Sequence, residues 1–250
     1  MRGRAAAVIL MLVAGCSTPV APQPSSDQVL ERDQVLERVL RASVQIVAEY
    51  AGDRVRSGSG VVVASRAGAQ KSECVILTTA HTVSRLPKDT RVLALFDRDR
   101  GPGVPLGAEL LAHEDVGGPD LALLRTQPPQ CEPIQFGRLP RLGDPVWTVG
   151  FPWGRGLRLT GGVVSQVQPA RLMIDASVAS GASGGGVFDA RNGHLLGLVE
   201  GLGTARVAVD TPSNRYIDVP MPGETYVIPV PTIRQFLEHA GYSDPLLAAD

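Results

Sequence analysis

Three short stretches of this chain combine residue types that move protons and acyl groups: Thr78-Thr79-Ala80-His81, Asp120-Leu121-Ala122-Leu123-Leu124 and Gly181-Ala182-Ser183-Gly184-Gly185. In chain order they offer a base, a carboxylate able to orient it and a nucleophile, the minimum set for acyl transfer through a serine. A serine hydroxyl attacks poorly until a base takes its proton, and the oxyanion it creates needs donors already in place. Glycines at 181, 184 and 185 allow a tight turn in which the N–H groups of Gly181 and Ser183 can face one point.

Each stretch also has an ordinary reading. GASGG reads equally as a flexible Gly/Ser loop, or as the strand–turn–helix elbow that G-x-S-x-G marks elsewhere. The elbow needs a helix after the serine, with the acid and histidine downstream. Here Gly184-Gly185-Gly186-Val187-Phe188 leads into another strand, and both partners lie upstream. His81 closes the apolar run 74–79, where a strand leaves a core; His113, His194 and His239 lack that setting. No cysteine or second histidine lies at ligand spacing from His81, so no metal and no cofactor is expected. Asp120 either caps a turn after Gly117-Gly118-Pro119 or, leading an apolar strand, is drawn beneath the surface to accept the base's Nδ1–H.

The elements that must position these residues are short and β-rich. Runs at 44–48, 60–64, 74–78, 91–96, 106–112 and 121–124 precede a proline-rich gap around 128–145; runs at 146–150, 157–167, 172–175, 186–188, 195–199 and 226–229 follow it. Short strands without intervening helices predict an all-β chain. The gap divides them six and six, over 42–130 and 144–230, which suggests two similar antiparallel β-barrels packed face to face, with a sandwich as the alternative. Residues 204–224 read as a long loop. A tandem hexapeptide (DQVLER, 27–32 and 33–38), behind a capping signal from Ser25 and Gln28, predicts a helix over 27–41, either a stalk or packed on the domain. Pro231, with Ile233, Phe236 and Leu237 on one face, predicts a C-terminal helix over 231–242, which leaves 243–250 as a tail.

The 250 residues carry 24 Lys+Arg against 25 Asp+Glu, so no global field points to nucleic acid. The start is a leader rather than fold: Arg2 and Arg4 precede the apolar run 5–14, too short to span a bilayer. Val13-Ala14-Gly15-Cys16 then resembles the lipobox of bacterial lipoproteins, in which cleavage frees the cysteine, here Cys16, for acylation; a plain secretory signal is the competing reading. The lipobox makes 1–15 a signal peptide, 16–26 a proline-rich tether, and the membrane a partner through a lipid anchor. By the sorting rule of that class, Ser17 in place of Asp favours the outer membrane, facing the periplasm, in a host with two membranes. Acyl chains at about 0.8 kcal/mol per buried CH₂ hold such a protein firmly. Export also places Cys74 and Cys131 in an oxidising compartment, where an even pair suggests one disulfide; two buried free thiols are the alternative.

In the order His, Asp, Ser, the motifs TTAH, DLALL and GASGG resemble the chymotrypsin-fold (trypsin-like) serine peptidases, and most closely their bacterial high-temperature-requirement branch. VGFPWG at 149–154, TGGVVS at 160–165, Ile174-Asp175-Ala176 and YVIPV at 226–230 extend the likeness over 42–242. The resemblance implies two six-stranded barrels with the site in the cleft between them. It makes His81 the general base and then acid, Asp120 its orienting carboxylate, Ser183 the attacking residue, and the Gly181 and Ser183 amides the oxyanion hole. It also implies polypeptide substrates, exported or misfolded proteins, laid as a strand along Leu198, Val199, Glu200 and Gly201. The pocket for the residue before the cut is then lined by the stretch preceding Ser183 and by 199–203, and whether Glu200 faces it stays open. A catalytically silent relative that binds an envelope partner is the alternative.

Three departures from the family pattern carry expectations. Ala182 stands where animal trypsin relatives have an Asp that receives a newly cut N-terminus, so activation by insertion is not expected. Gly186 replaces the usual proline after Ser-Gly-Gly and should loosen the exit from the turn. The chain ends soon after its last helix, so no PDZ domain is expected to follow. The anchor reading predicts that Cys16→Ala moves the protein from the membrane to the soluble fraction. Unchanged partitioning would rule lipidation out as the tether.

Overall fold

In β2 (Asp53–Arg66), β3 (Glu73–Thr78) and β7 (Leu121–Thr126) the central residues are buried on both faces, which is why these segments read as continuous apolar runs. Val61, Val63, Val75, Leu77, Leu121 and Leu123 belong to one core, and the alternating Val62, Ile76, Ala122 and Leu124 to another. The second set packs with Val44 and Ile46 of β1 (Ser43–Tyr50) and Ala94 of β4 (Arg91–Leu95). The first set meets residues from the later half of the chain, among them Val149, Phe188, Leu198 and Ile228. β3 runs through Thr79 into a one-turn helix, α2 (Ala80–Val83). The structure, a computed structural model, describes residues 26–66, 73–96, 103–114, 118–128, 130–210 and 215–242. The leader, Cys16, most of the tether and the tail after Tyr242 lie outside these.

β5 (Pro105–Gly107) and β6 (Glu109–Glu114) complete the first sheet, in the order β5-β4-β1-β2-β3-β7-β6. The strand expected over 106–112 is broken at Ala108, whose N–H donates to Val92 O at 2.8 Å. Its two halves pair with opposite edges, β5 on β4 and β6 on β7. The first body is therefore a seven-stranded half-barrel, where six strands in a closed barrel were expected. The second body does close: β8 (Pro145–Gly150), β9 (Arg158–Val167), β10 (Leu172–Ile174), β11 (Gly186–Asp189), β12 (Leu195–Asp210) and β13 (Arg215–Pro229) form a barrel in the order β10-β13-β12-β11-β8-β9.

Two local expectations are corrected. Residues 204–224 are not a long loop but mainly the outer part of a β12–β13 ribbon, paired from Thr204↔Pro220 to Asp210↔Arg215. Gly186 does not loosen the turn's exit. It is paired with both Val149 and Leu198, and a Cβ there would strike the ring of the fully buried Phe188.

The two bodies are held by helices and a laced linker. α1 (Ser26–Arg41) is docked over its last turns, with Val39 wholly buried and Val35 beside it against the Gly193 turn, so this part is not a free stalk. α3 (Val230–His239) has Pro231 in its first turn and buries Val230, Ile233, Phe236 and Leu237, each worth about 1.5–3 kcal/mol. No helix among the described residues is long and apolar enough to cross a membrane. In the linker, Ile134 N–H donates to Val62 O at 3.0 Å, while Leu195 N–H donates to Gln135 O at 2.8 Å. Cys131 is joined by a disulfide to Cys74 of β3, with Cα atoms 6.4 Å apart and a sequence separation of 57.

Closing a loop of that length removes up to roughly 4 kcal/mol of denatured-state entropy. Replacing both cysteines by alanine should lower the unfolding free energy by about 2–4 kcal/mol, read as a lower denaturant midpoint without reductant. Equal midpoints for the variant and the oxidised protein would deny the bridge any structural role.

Candidate active site

His81 is the second residue of α2, just beyond the buried end of β3, and Asp120 immediately precedes β7, the neighbour of β3. Pairing of Thr78 with Ala122 therefore brings the two turns side by side. Asp120 holds His81 at two points: Oδ1 accepts the His81 backbone N–H at 2.8 Å, and Oδ2 lies 2.6 Å from Nδ1. Asp120 O accepts the Ala80 N–H at 3.1 Å as well. A carboxylate on Nδ1 keeps the proton on that nitrogen and leaves the Nε2 lone pair free to accept. The Asp120 side chain is 21% exposed and that of His81 49%, so the imidazole reaches solvent while its partner sits below. The Arg56 guanidinium donates to His81 O and to Ser84 O, fixing the backbone of the same turn.

Ser183 lies in the second of two successive β-turns, 179–182 and 182–185. Ala182 N–H donates to Ala179 O at 2.9 Å, and Gly185 N–H to Ala182 O at 2.9 Å. The first has Gly181 at its third position with φ +92°, the signature of a type II turn, where a side chain would be strained. Ser180 O accepts the Trp153 N–H at 2.7 Å. In a trans peptide the Gly181 N–H points the opposite way, away from Trp153. Among the described residues nothing accepts the N–H of either Gly181 or Ser183. Two unused backbone donors thus flank the serine, an arrangement suited to an anionic oxygen.

One residue not singled out in the sequence joins the halves of the site. Ser59, in β2 and fully buried, donates its N–H to Ser183 O at 2.9 Å and its hydroxyl to Gly181 O at 2.8 Å. The same hydroxyl accepts the Phe151 N–H at 2.9 Å, and Ser59 O accepts the Thr78 hydroxyl at 2.6 Å. Gly184, with φ +80°, packs so closely that a Cβ would strike Ser59 O and the Thr78 hydroxyl and stand 3.0 Å from Thr79 N. The Ser183 turn is therefore seated on the strand end from which His81 emerges. No hydrogen bond joins the Ser183 hydroxyl to the imidazole, a contact often loose in a site without substrate. A signal for Ser59 was present: Ser57-Gly58-Ser59-Gly60, small residues inside an apolar strand, marks close backbone approach.

The residues expected to receive a substrate strand differ in their pairing. Leu198 is paired on both sides, with Gly186 and Ile228. Val199 spends its N–H on Gly185 O and its carbonyl on Gly184 N–H, both at 2.8 Å. The open edge of β12 therefore begins at Glu200 and Gly201. The Glu200 carboxylate is turned to Arg171 at 3.0 Å. Between the stretch before Ser183 and Val199 lies a small recess whose lining includes Thr148, Thr160, Ser177, Val178 and Ala182. Its hydroxyls are mutually bonded, Thr148 to Thr160 at 2.5 Å and Thr160 to Ser177 O at 2.9 Å. No cluster of three or more His, Cys, Asp or Glu able to hold a metal occurs among the described residues.

Comparison with known proteins agrees with this architecture. The chain is 30% identical over 175 residues to the periplasmic pH-dependent serine endoprotease DegQ of Escherichia coli, covering 63% of this chain and 35% of that one. It is also 30% identical over 200 residues to a probable periplasmic serine endoprotease, DegP-like, of Brucella suis, covering 74% and 33%. It thus spans about a third of the length of these relatives. The crystal structure of the serine endoprotease from Yersinia pestis superposes with a TM-score of 0.64 at 21% identity, covering 88% of this chain and 68% of that one, and shares the fold. A family model described as a trypsin-like peptidase domain matches residues 58–198, more than half of the chain. The chain belongs to the trypsin-like peptidase domain family.

Proposed function

We propose that this chain is a serine endopeptidase in which His81, Asp120 and Ser183 form the catalytic triad. The observation that carries the reading is the two-point grip of Asp120 on His81, at the strand end against which the Ser183 turn is seated. In the proposed cycle Nε2 takes the Ser183 proton while Oγ attacks the scissile carbonyl, and the Gly181 and Ser183 N–H groups receive the oxyanion. Asp120 stabilises the imidazolium, which returns the proton to the leaving amine. Water, deprotonated by His81, then hydrolyses the acyl-enzyme. The absence of an acceptor for either turn amide favours a site competent as folded, and Ala182 gives a new N-terminus no carboxylate to bind.

The substrates we propose are exported or misfolded polypeptides in a bacterial envelope, in line with the periplasmic endoproteases among the relatives. Anchoring through an acylated Cys16 at the outer membrane belongs to the same proposal and rests on the leader sequence.

A fluorophosphonate probe should label the wild-type protein and fail on Ser183→Ala; a wild type that stays unlabelled sinks the reading. Asp120→Asn should lower kcat/KM by about 10⁴-fold, by analogy with the template triad. Ser59→Ala should leave Gly181 O and Phe151 N–H without their partner, lowering stability by about 1–3 kcal/mol and slowing labelling. Full labelling rates in Ser59→Ala would remove it from the positioning of the turn.

A further inference from the structure

The outer β12–β13 ribbon carries an apolar face that nothing among the described residues covers. Its register is regular from Thr204↔Pro220 to Ala208↔Tyr216, so side chains alternate between faces. Ala205 and Val207 share one face with Val219 and Ile217, and Met221 continues the row. The opposite face holds Thr204, Arg206, Tyr216 and Asp218, with the Arg206 guanidinium 5.4 Å from the Tyr216 ring centre. On the apolar side Val207 is 44% exposed, Ile217 49%, and Val219 and Met221 37% each. A contiguous apolar row on a projecting ribbon marks a contact surface rather than scattered exposure.

The edge of the same strand is open. β11 accompanies β12 only as far as Leu198, and the turn residues Gly184 and Gly185 take up Val199. Over 200–210 β13 lies on one side, and among the described residues no strand lies on the other. One continuous unpaired edge therefore runs from beside Ser183 out along the apolar row. Two strands about 5 Å apart and some five residues long offer only a few hundred Å², well below the roughly 800 Å² per partner of a stable protein pair. The face suits a single extended chain better than a second folded copy. Arg206 and Arg215 are matched by Asp210 and Asp218, so the ribbon has no net charge to draw it to an anionic lipid surface.

We propose that this ribbon is a substrate-gripping arm. It takes an extended apolar segment on the amino side of the scissile bond, added as a strand on the β12 edge with its alternate side chains on the row of Val207 and Ile217. The inference rests on the peptidase reading above and names what that site selects. A strand antiparallel to β12, with its reacting carbonyl at Ser183, runs toward the ribbon tip in its amino-terminal direction. Residues about six to eight positions before the cut then reach the row.

The test uses Val207→Asp with Ile217→Asp, both at exposed positions, on the full chain with thermal unfolding as the control for folding. Two peptides share one cleavage sequence. One has four residues before the cut, and the other has ten, with Leu and Val at alternate positions. The double variant should lower kcat/KM for the long peptide by about tenfold and leave the short peptide, which does not reach the row, unchanged. In a Ser183→Ala background, fluorescence anisotropy should show about a tenfold weaker affinity for the long peptide in the double variant. That arm needs no turnover, so failure of the peptidase reading is seen separately, as absence of labelling or cleavage in the wild type. Unaltered affinity for the long peptide overturns the proposal. So does a loss of self-association in sedimentation, or of flotation with phosphatidylglycerol vesicles, while peptide affinity is kept.

Discussion

Ser59 spends every polar group it has on holding two bodies of chain in register. Its N–H goes to Ser183 O, its hydroxyl hydrogen to Gly181 O, its hydroxyl oxygen to Phe151 N–H and its carbonyl to the Thr78 hydroxyl. Of the four bonds, those to Phe151 and Thr78 are buried and that to Gly181 O partly so, and a buried partner left orphaned costs about 1–3 kcal/mol, which couples the set. Three of them reach the barrel that carries Ser183, and the fourth reaches β3, which delivers His81. The position of the Ser183 turn relative to the strand end that leads to His81 is thus fixed by the backbone and side chain of one residue.

This arrangement demands that both faces of β2, β3 and β7 be apolar. One face fills the half-barrel through Val62, Ile76 and Leu124; the other, through Val61, Leu77 and Leu123, meets Phe188, Leu198 and α3. Close approach at the seam then leaves no space for a Cβ at residue 184. The Gly-rich sequence around Ser183 is consequently explained twice, by the positive φ at Gly181 and Gly184 and by the backbone of β2 lying against it.

Much of the fold was legible because the strands are short, apolar and punctuated, and α3 was legible through its Pro231 start and the spacing of Ile233, Phe236 and Leu237. The His81 and Asp120 turns were legible as polar residues at the ends of apolar runs. The break at Ala108 was not, because 106–112 is one uninterrupted stretch in sequence and its division depends on which sheet edges it can reach. The ribbon was hidden by Pro220, Pro222 and Gly223, which read as loop, while the alternation of Ala205 and Val207 against Ile217 and Val219 emerges only when the two strands are aligned. Whether Cys74 and Cys131 meet depends on the path of the linker, which carries no local signal.

The route of the linker has a consequence in time. Val61, Leu77 and Leu123 are synthesised well before Phe188, Leu198 and Phe236, the residues that cover them, so the nascent half-barrel emerges with one face bare. Ile134 and Phe136 are the first later residues to arrive, and their place in the same core lets the linker shield part of that face while the second barrel is still being made. Until the barrel closes, His81 and Asp120 have no Ser183 turn beside them. On the proposed mechanism, a half-made chain cannot cut its neighbours.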